Sequence, residues 1–210
     1  MKLYLSSIEV PTPNELAKLL GKPLDGTRVA VIPNAQDYYS ERVRKYKNQD
    51  FASTLNKLGL SVETIDLRSY DNSEKLKSKL ETFDIVWARG GNTFCLRYEM
   101  RRSGFDDVIN DLLKAGIVYG GDSAGALVAG ISISGIESAD IPEYAEEVIS
   151  EGLRLVPYVV LPHLDNPEFS DAIAKVEDMH KGKNDLIELK DSQAVVFNGD
   201  RHWITDAPQT

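Results

Sequence analysis

Eight short apolar runs, at 3–6, 28–33, 61–67, 84–88, 117–121, 156–162, 186–189 and 194–197, alternate along the chain with longer amphipathic stretches. Runs this short and rich in β-branched residues read as strands, and the stretches between them read as helices, so the pattern is a succession of βαβ units. Such a chain folds as an α/β protein with helices on both faces of a mostly parallel, doubly wound sheet. Thr12-Pro13-Asn14-Glu15 reads as a capping box with proline at the first helical position, and Gly21 should stop that helix. Further helices are expected at 37–58, 73–82, 93–102, 105–115, 123–129 and 167–180. The acidic segment 132–154 has no clear period and reads as an irregular excursion over the ligand-binding edge. The closely spaced strand signals at the end of the chain point to antiparallel edge strands added to the parallel core.

One junction in this pattern carries chemistry. Residues 117–130 run Ile-Val-Tyr-Gly-Gly-Asp-Ser-Ala-Gly-Ala-Leu-Val-Ala-Gly, a β-branched strand turning through Gly121-Asp122-Ser123-Ala124-Gly125 into a helix of small residues. This is the sequence form of a nucleophile elbow, in which flanking glycines let a serine sit on a sharp strand-to-helix turn. G-x-S-x-G is a weak pattern by itself; its position between a strand and a helix makes Ser123 the candidate nucleophile.

A chain of 210 residues with 42% hydrophobic content is expected to form a single domain over residues 1–210. Its net charge of −9 argues against nucleic acid or an anionic membrane as partner, because both demand a cationic face. The lone Cys95 excludes an internal disulfide and is expected to be a buried small hydrophobe. Only Leu3-Tyr4-Leu5 stands where a signal sequence needs a longer apolar stretch, which favours the cytoplasm. No His/Cys cluster suggests a metal, and no cofactor is expected.

Serine at its ordinary pKa needs a base, and the chain offers His163, His180 and His202. His163 follows Val159-Val160-Leu161-Pro162 at the C-terminal end of a strand, the edge where open parallel sheets collect ligands, and it ranks first. His180, among Lys181 and Lys183 at a helix end, reads as a solvated dipole partner. His202 lies in a turn-like segment after a strand and reads as a surface or packing residue. The histidine's second nitrogen needs a carboxylate, for which Asp200 and Asp165 are candidates, with Asp200 preferred because Asp165 is only two residues from His163. An oxyanion hole needs two donors: the Ala124 N–H comes with the elbow, and Gly90-Gly91-Asn92-Thr93, a glycine pair opening a helix, is the loop from which a second is expected. Tyr38 and Tyr39 are candidates for the cleft wall, and Trp87 and Trp203 for packing positions.

With these pieces in place the chain resembles, nearly end to end, the peptidase E (aspartyl dipeptidase) family of serine peptidases, to which cyanophycinases are related. The resemblance rests on Gly90-Gly91-Asn92-Thr93-Phe94, Gly121-Asp122-Ser123-Ala124-Gly125-Ala126, Pro162-His163 and the C-terminal Asp200-x-x-Trp203-Ile204, in that order. It implies a flavodoxin-like or class I glutamine-amidotransferase-like fold. It also implies a serine peptidase acting on dipeptides or short peptides through Ser123, His163 as base and Asp200 as acid, with the Gly91 and Ala124 N–H groups as oxyanion hole. Arg89, Asn92, Asp140 and Asp165 are the candidate substrate-binding residues. The family carries Glu where this chain has Asp200. The segment 164–170 lacks an arginine to hold a substrate aspartate, so Asp-X selectivity does not carry over; Arg89, beside the glycine pair, is the alternative cation.

The expected partner is a small peptide, with the protein a monomer or homodimer. Two alternatives stand beside this reading. An α/β-hydrolase-type esterase orders its triad serine, acid, histidine and would use His202 as base; a non-catalytic binding or regulatory homologue would keep the fold without the activity.

Overall fold

The computed structural model describes residues 1–208. Seven strands form the main sheet in the order β3-β2-β4-β5-β1-β8-β9: β3 (Ser61–Thr64), β2 (Arg28–Ile32), β4 (Ile85–Ala88), β5 (Val118–Asp122), β1 (Lys2–Ser6), β8 (Gln193–Asn198) and β9 (Arg201–Asp206). The first five are mutually parallel, whereas β8 runs antiparallel to β1 and β9 antiparallel to β8. This is the doubly wound α/β sheet with an antiparallel C-terminal edge that the alternating pattern implies.

Successive residues of one strand serve opposite faces, as the pleat requires. Leu3 and Leu5 of β1 pack with the helices α4 (Thr93–Arg102) and α5 (Phe105–Lys114), whereas Tyr4 between them packs with Leu16 and Leu19 of α1 (Pro13–Leu20) and Phe51 and Leu55 of α2 (Glu41–Lys57). Both faces of the parallel strands are therefore dry, which is why these runs are continuously apolar rather than alternating.

Several local expectations are corrected. The capping box at Thr12 does not form: its hydroxyl lies 2.8 Å from the Tyr4 hydroxyl, so a buried tertiary partner wins over the helix N–H groups, although Gly21 does end α1 in the left-handed conformation. Helix α2 starts at Glu41 rather than residue 37, because Asn34–Gln36 forms a separate 3-10 turn. The strands β6 (Val159–Leu161) and β7 (Leu186–Glu188) stand outside the main sheet and pair in parallel with each other. His202, read as lying in a turn-like segment, is on the edge strand β9. The irregular excursion at 132–154 contains only the 3-10 turn Pro142–Tyr144 and an isolated bridge from Ser132 to Glu151.

Register positions the site. Ser6 of β1 is level with Asp122 of β5, and Ala88 of β4 is level with Gly121. The segment after β4, beginning Arg89-Gly90-Gly91, and the turn after β5, which carries Ser123, therefore emerge side by side at the C-terminal edge of the sheet, where such folds bind ligands. No helix among the described residues is long and apolar enough to cross a membrane.

Candidate active site

Ser123 holds φ 50° and ψ −112°, a backbone region that non-glycine residues avoid and that the elbow imposes. The turn survives because α6 (Ala124–Leu127) leaves it tightly packed on β4: a Cβ at Gly125 would collide with the Ala88 carbonyl oxygen. The Ser123 N–H is tied to the Ser6 carbonyl at 3.0 Å, so the strained turn is fixed to the sheet and the side chain projects into the cavity above it.

His163 approaches from the loop after β6, also in the left-handed region at φ 69°. Its Nε2 lies 2.9 Å from Ser123 Oγ and its Nδ1 lies 2.6 Å from Asp191 Oδ1. The ring is buried to 7% exposure and stacks on Phe169 at 4.4 Å between centroids. Its backbone N–H donates to Ser7 Oγ at 3.1 Å, and that hydroxyl donates to the Leu189 carbonyl at 3.0 Å, so the base is anchored independently of its side-chain partners. Asp191 is itself held: Asn166 Nδ2 donates to its second oxygen at 3.1 Å, and its N–H donates to Asp165 Oδ1 at 2.9 Å.

The carboxylate beside His163 is thus Asp191, not Asp200. The reason is strand direction. Because β8 is antiparallel to β1, its start lies level with Ser6 and its end level with Lys2. Asp191 precedes β8 and stays at the active edge, whereas Asp200, in the exposed turn after β8, is carried to the opposite edge of the sheet, roughly 17 Å along the strand. His202, on β9, is removed with it; it stacks on Phe197 at 5.1 Å and has no route to Ser123, which withdraws the serine-acid-histidine alternative. His180 is not solvated but buried, with Nδ1 paired to the Asn184 amide at 2.9 Å.

A cavity of about 490 Å³ opens over Ser123 and His163. Arg89, Gly91, Ala124 and Asp140 line it, as do Tyr38 and Tyr39. Asn92 and Asp165 do not: Asn92 caps α4 through Oδ1 to the Cys95 N–H at 2.9 Å and donates to the Ile141 carbonyl, while Asp165 is engaged with Asp191. The causes differ: Asn92 satisfies the backbone of the helix it starts, whereas Asp165 is taken by the Asp191 N–H of a loop 26 residues further along the chain. Arg89 rests over the Phe51 ring and donates to the Lys47 carbonyl at 2.6 Å, and burial lowers its pKa. Asp140 accepts from the Thr93 N–H at 2.8 Å, and burial raises its carboxyl above the ordinary value. Cys95 is buried, and the loss of solvent pushes its thiol up to about 12, far from nucleophilic use.

Sequence reasoning passed over Asp122, the residue before the nucleophile. Its Oδ1 accepts from Trp87 Nε1 at 2.6 Å and its Oδ2 from the Gly90 N–H at 3.1 Å, joining β5 to the glycine loop. Burial raises this carboxyl to about 6, against the opposing pull of Trp87, Arg89 and the Gly90 amide. The folded value exceeds the unfolded one, so the native state holds a proton that the unfolded chain has released, and the stability this provides is lost as pH rises from about 4 to above 6. Unfolding in urea is expected to show wild-type stability falling by about 3 kcal/mol across that window from this group. The Asp122→Asn variant should lack that slope; parallel profiles for the two proteins would refute the assignment.

Known proteins share this sequence and fold. The sequence profile of peptidase family S51 matches residues 6–205. An uncharacterized peptidase of Listeria monocytogenes is 31% identical over 182 residues, covering 84% of each chain. Peptidase E of Haemophilus influenzae is 28% identical over 151 residues, 71% of this chain and 62% of that protein. Among solved structures, a Listeria monocytogenes protein described as of peptidase E type superposes with a TM-score of 0.82 at 26% identity, covering 98% of both chains. With the profile spanning nearly its whole length, the chain belongs to peptidase family S51.

Proposed function

We propose that the protein hydrolyses dipeptides or similarly short peptides through an acyl-enzyme on Ser123, with His163 as general base and Asp191 as the orienting acid. The observation that carries this reading is the continuous hydrogen-bonded series from Ser123 Oγ through His163 to Asp191 beneath an open cavity. His163 Nε2 takes the serine proton as Oγ attacks the scissile carbonyl, and Asp191, accepting from Nδ1–H, fixes the tautomer and stabilises the imidazolium. The tetrahedral oxygen is held by the N–H of Ala124, which as the first residue of α6 has no intrahelical acceptor, and by that of Gly91. His163 then passes its proton to the leaving amine, and a water activated by the same nitrogen releases the acyl group.

Substrate size follows from the cavity, whose volume is toward the low end of those that enclose small ligands. Its charge suggests which ends are read. Asp140 is a partner for a substrate ammonium, which would favour the ionised carboxyl that burial disfavours. Arg89 offers the cation for a carboxylate, whether terminal or side-chain.

A fluorophosphonate probe tests the core of this reading. Treatment of the folded protein is expected to add one phosphonyl group, located by mass spectrometry on the peptide containing Ser123, and to abolish release of amino acids from a dipeptide library. Absence of label on Ser123 in folded protein overturns the proposal.

A further inference from the structure

The glycine loop that would complete the oxyanion hole has no side chain with which to hold itself. A Cβ on Gly90 would meet Asp122 Oδ2 and Ser123 Cβ, each at 2.9 Å, and a Cβ on Gly91 would collide with the Ala35 carbonyl and the Gln36 amide. Gly91 also sits at φ 143°, a conformation that L side chains rarely adopt. The loop is instead fixed by bonds to its backbone. The Arg89 N–H donates to the Ile32 carbonyl at 3.1 Å, the Gly90 N–H to Asp122 Oδ2, the Asn92 N–H to the Ala35 carbonyl at 2.7 Å and the Thr93 N–H to Asp140. Among the described residues, the Gly91 N–H alone in this run has no acceptor.

Its direction is set by Gln36, whose Nε2 donates to the Gly90 carbonyl. The peptide between Gly90 and Gly91 is planar and trans, so its C=O and N–H point to opposite sides. Drawing the carbonyl toward Gln36 turns the N–H to the opposite side of the peptide, and Gly91, like Gln36 and Ser123, lines the cavity. The amide does this at a cost. Gln36 is only 5% exposed, and its Oε1 is buried without a partner among the described residues. Leucine or methionine would fill the space with no orphaned acceptor, and reversing the amide would set Oε1 against the Gly90 oxygen, acceptor against acceptor. A half-satisfied buried amide retained for one bond is explained by what that bond orients.

We propose that Gln36 is a positioning residue of the oxyanion hole, holding the Gly90–Gly91 peptide so that the Gly91 N–H meets the developing tetrahedral oxygen. This rests on the acyl-enzyme reading above and adds to it a residue that acts through the Gly90–Gly91 peptide.

The rate of phosphonylation by a fluorophosphonate tests it directly. In that reaction the Ser123 Oγ–P bond forms, the P–F bond breaks with loss of fluoride, the serine proton passes to His163, and the phosphonyl oxygen occupies the oxyanion position. Gln36→Met should keep the fold by circular dichroism and thermal melting yet label roughly tenfold to a hundredfold more slowly, somewhat less than the loss of a whole donor. Gln36→Glu preserves volume and supplies a second readout: protonated it donates to the Gly90 carbonyl, ionised it repels it. The ratio of its labelling rate to that of wild type should therefore climb as pH falls. A purely structural role would depress both variants without that pH dependence. Wild-type protein that fails to label at Ser123, indistinguishable from Ser123→Ala, overturns the acyl-enzyme reading itself. Ser123-dependent labelling with Gln36→Met as fast as wild type, or with a pH-independent Gln36→Glu ratio, overturns the role of Gln36 alone. Should Gln36→Met not fold, the Gln36→Glu ratio decides.

Discussion

Ser123→Ala is expected to lower kcat for peptide hydrolysis about 10⁶-fold, and His163→Ala by a comparable factor, with the double variant little worse than either alone. The non-additivity is the informative part. The two side chains are joined by a 2.9 Å hydrogen bond, and in the proposed route they act as a unit, because the alcohol is nucleophilic only while the imidazole receives its proton. Either deletion removes the whole covalent route and leaves only what binding and the oxyanion donors contribute. Steady-state hydrolysis of whichever dipeptide proves active, with circular dichroism to verify folding, measures this. Losses that multiplied in the double variant would mean that the two groups work independently, and the proposed route would be wrong.

Asp191→Asn is expected to reduce kcat about 10⁴-fold with KM little changed. The carboxylate lies 2.6 Å from His163 Nδ1, where it requires the tautomer with hydrogen on Nδ1 and the lone pair on Nε2, facing the serine. An asparagine amide offers an N–H to Nδ1 instead, which leaves hydrogen on Nε2 and the serine without an acceptor. The supporting bonds from Asn166 and Asp165 keep residue 191 in place, so the effect should be electronic rather than structural. Asp200→Asn, in the exposed turn at the opposite sheet edge, should leave kcat and thermal stability at wild-type values. Equal losses in the two variants would refute the assignment of Asp191.

The contrast between these two aspartates shows what a sequence can and does not carry. The turn that carries Ser123 is legible because the features that mark it are local: a β-branched strand, flanking glycines and a run of small residues that together read as a strand-to-helix turn. His163 was legible for a related reason, since it ends an apolar run and parallel strands deliver their C-terminal residues to one edge. The acid was misassigned even though an antiparallel C-terminal edge was expected. In an antiparallel strand the residues before it, not those after it, lie at the active edge, and the choice between 191 and 200 turns on that direction alone. Asn92 and Asp165, candidate substrate contacts by sequence, are instead occupied by backbone N–H groups, Asn92 by that of Cys95 in the helix it caps and Asp165 by that of Asp191.

The order of amino acids by itself determined the parallel core, the strained serine turn and the glycine pair, because periodicity and the absence of side chains act over a few residues. Tertiary structure decided which carboxylate meets the imidazole and which amide steers the Gly90–Gly91 peptide. Gln36 is 54 residues from the carbonyl it engages and Asp191 is 28 from its histidine. At such separations contact depends on strand direction, register and the packing of loops across a sheet edge, none of which is set by any short stretch of chain.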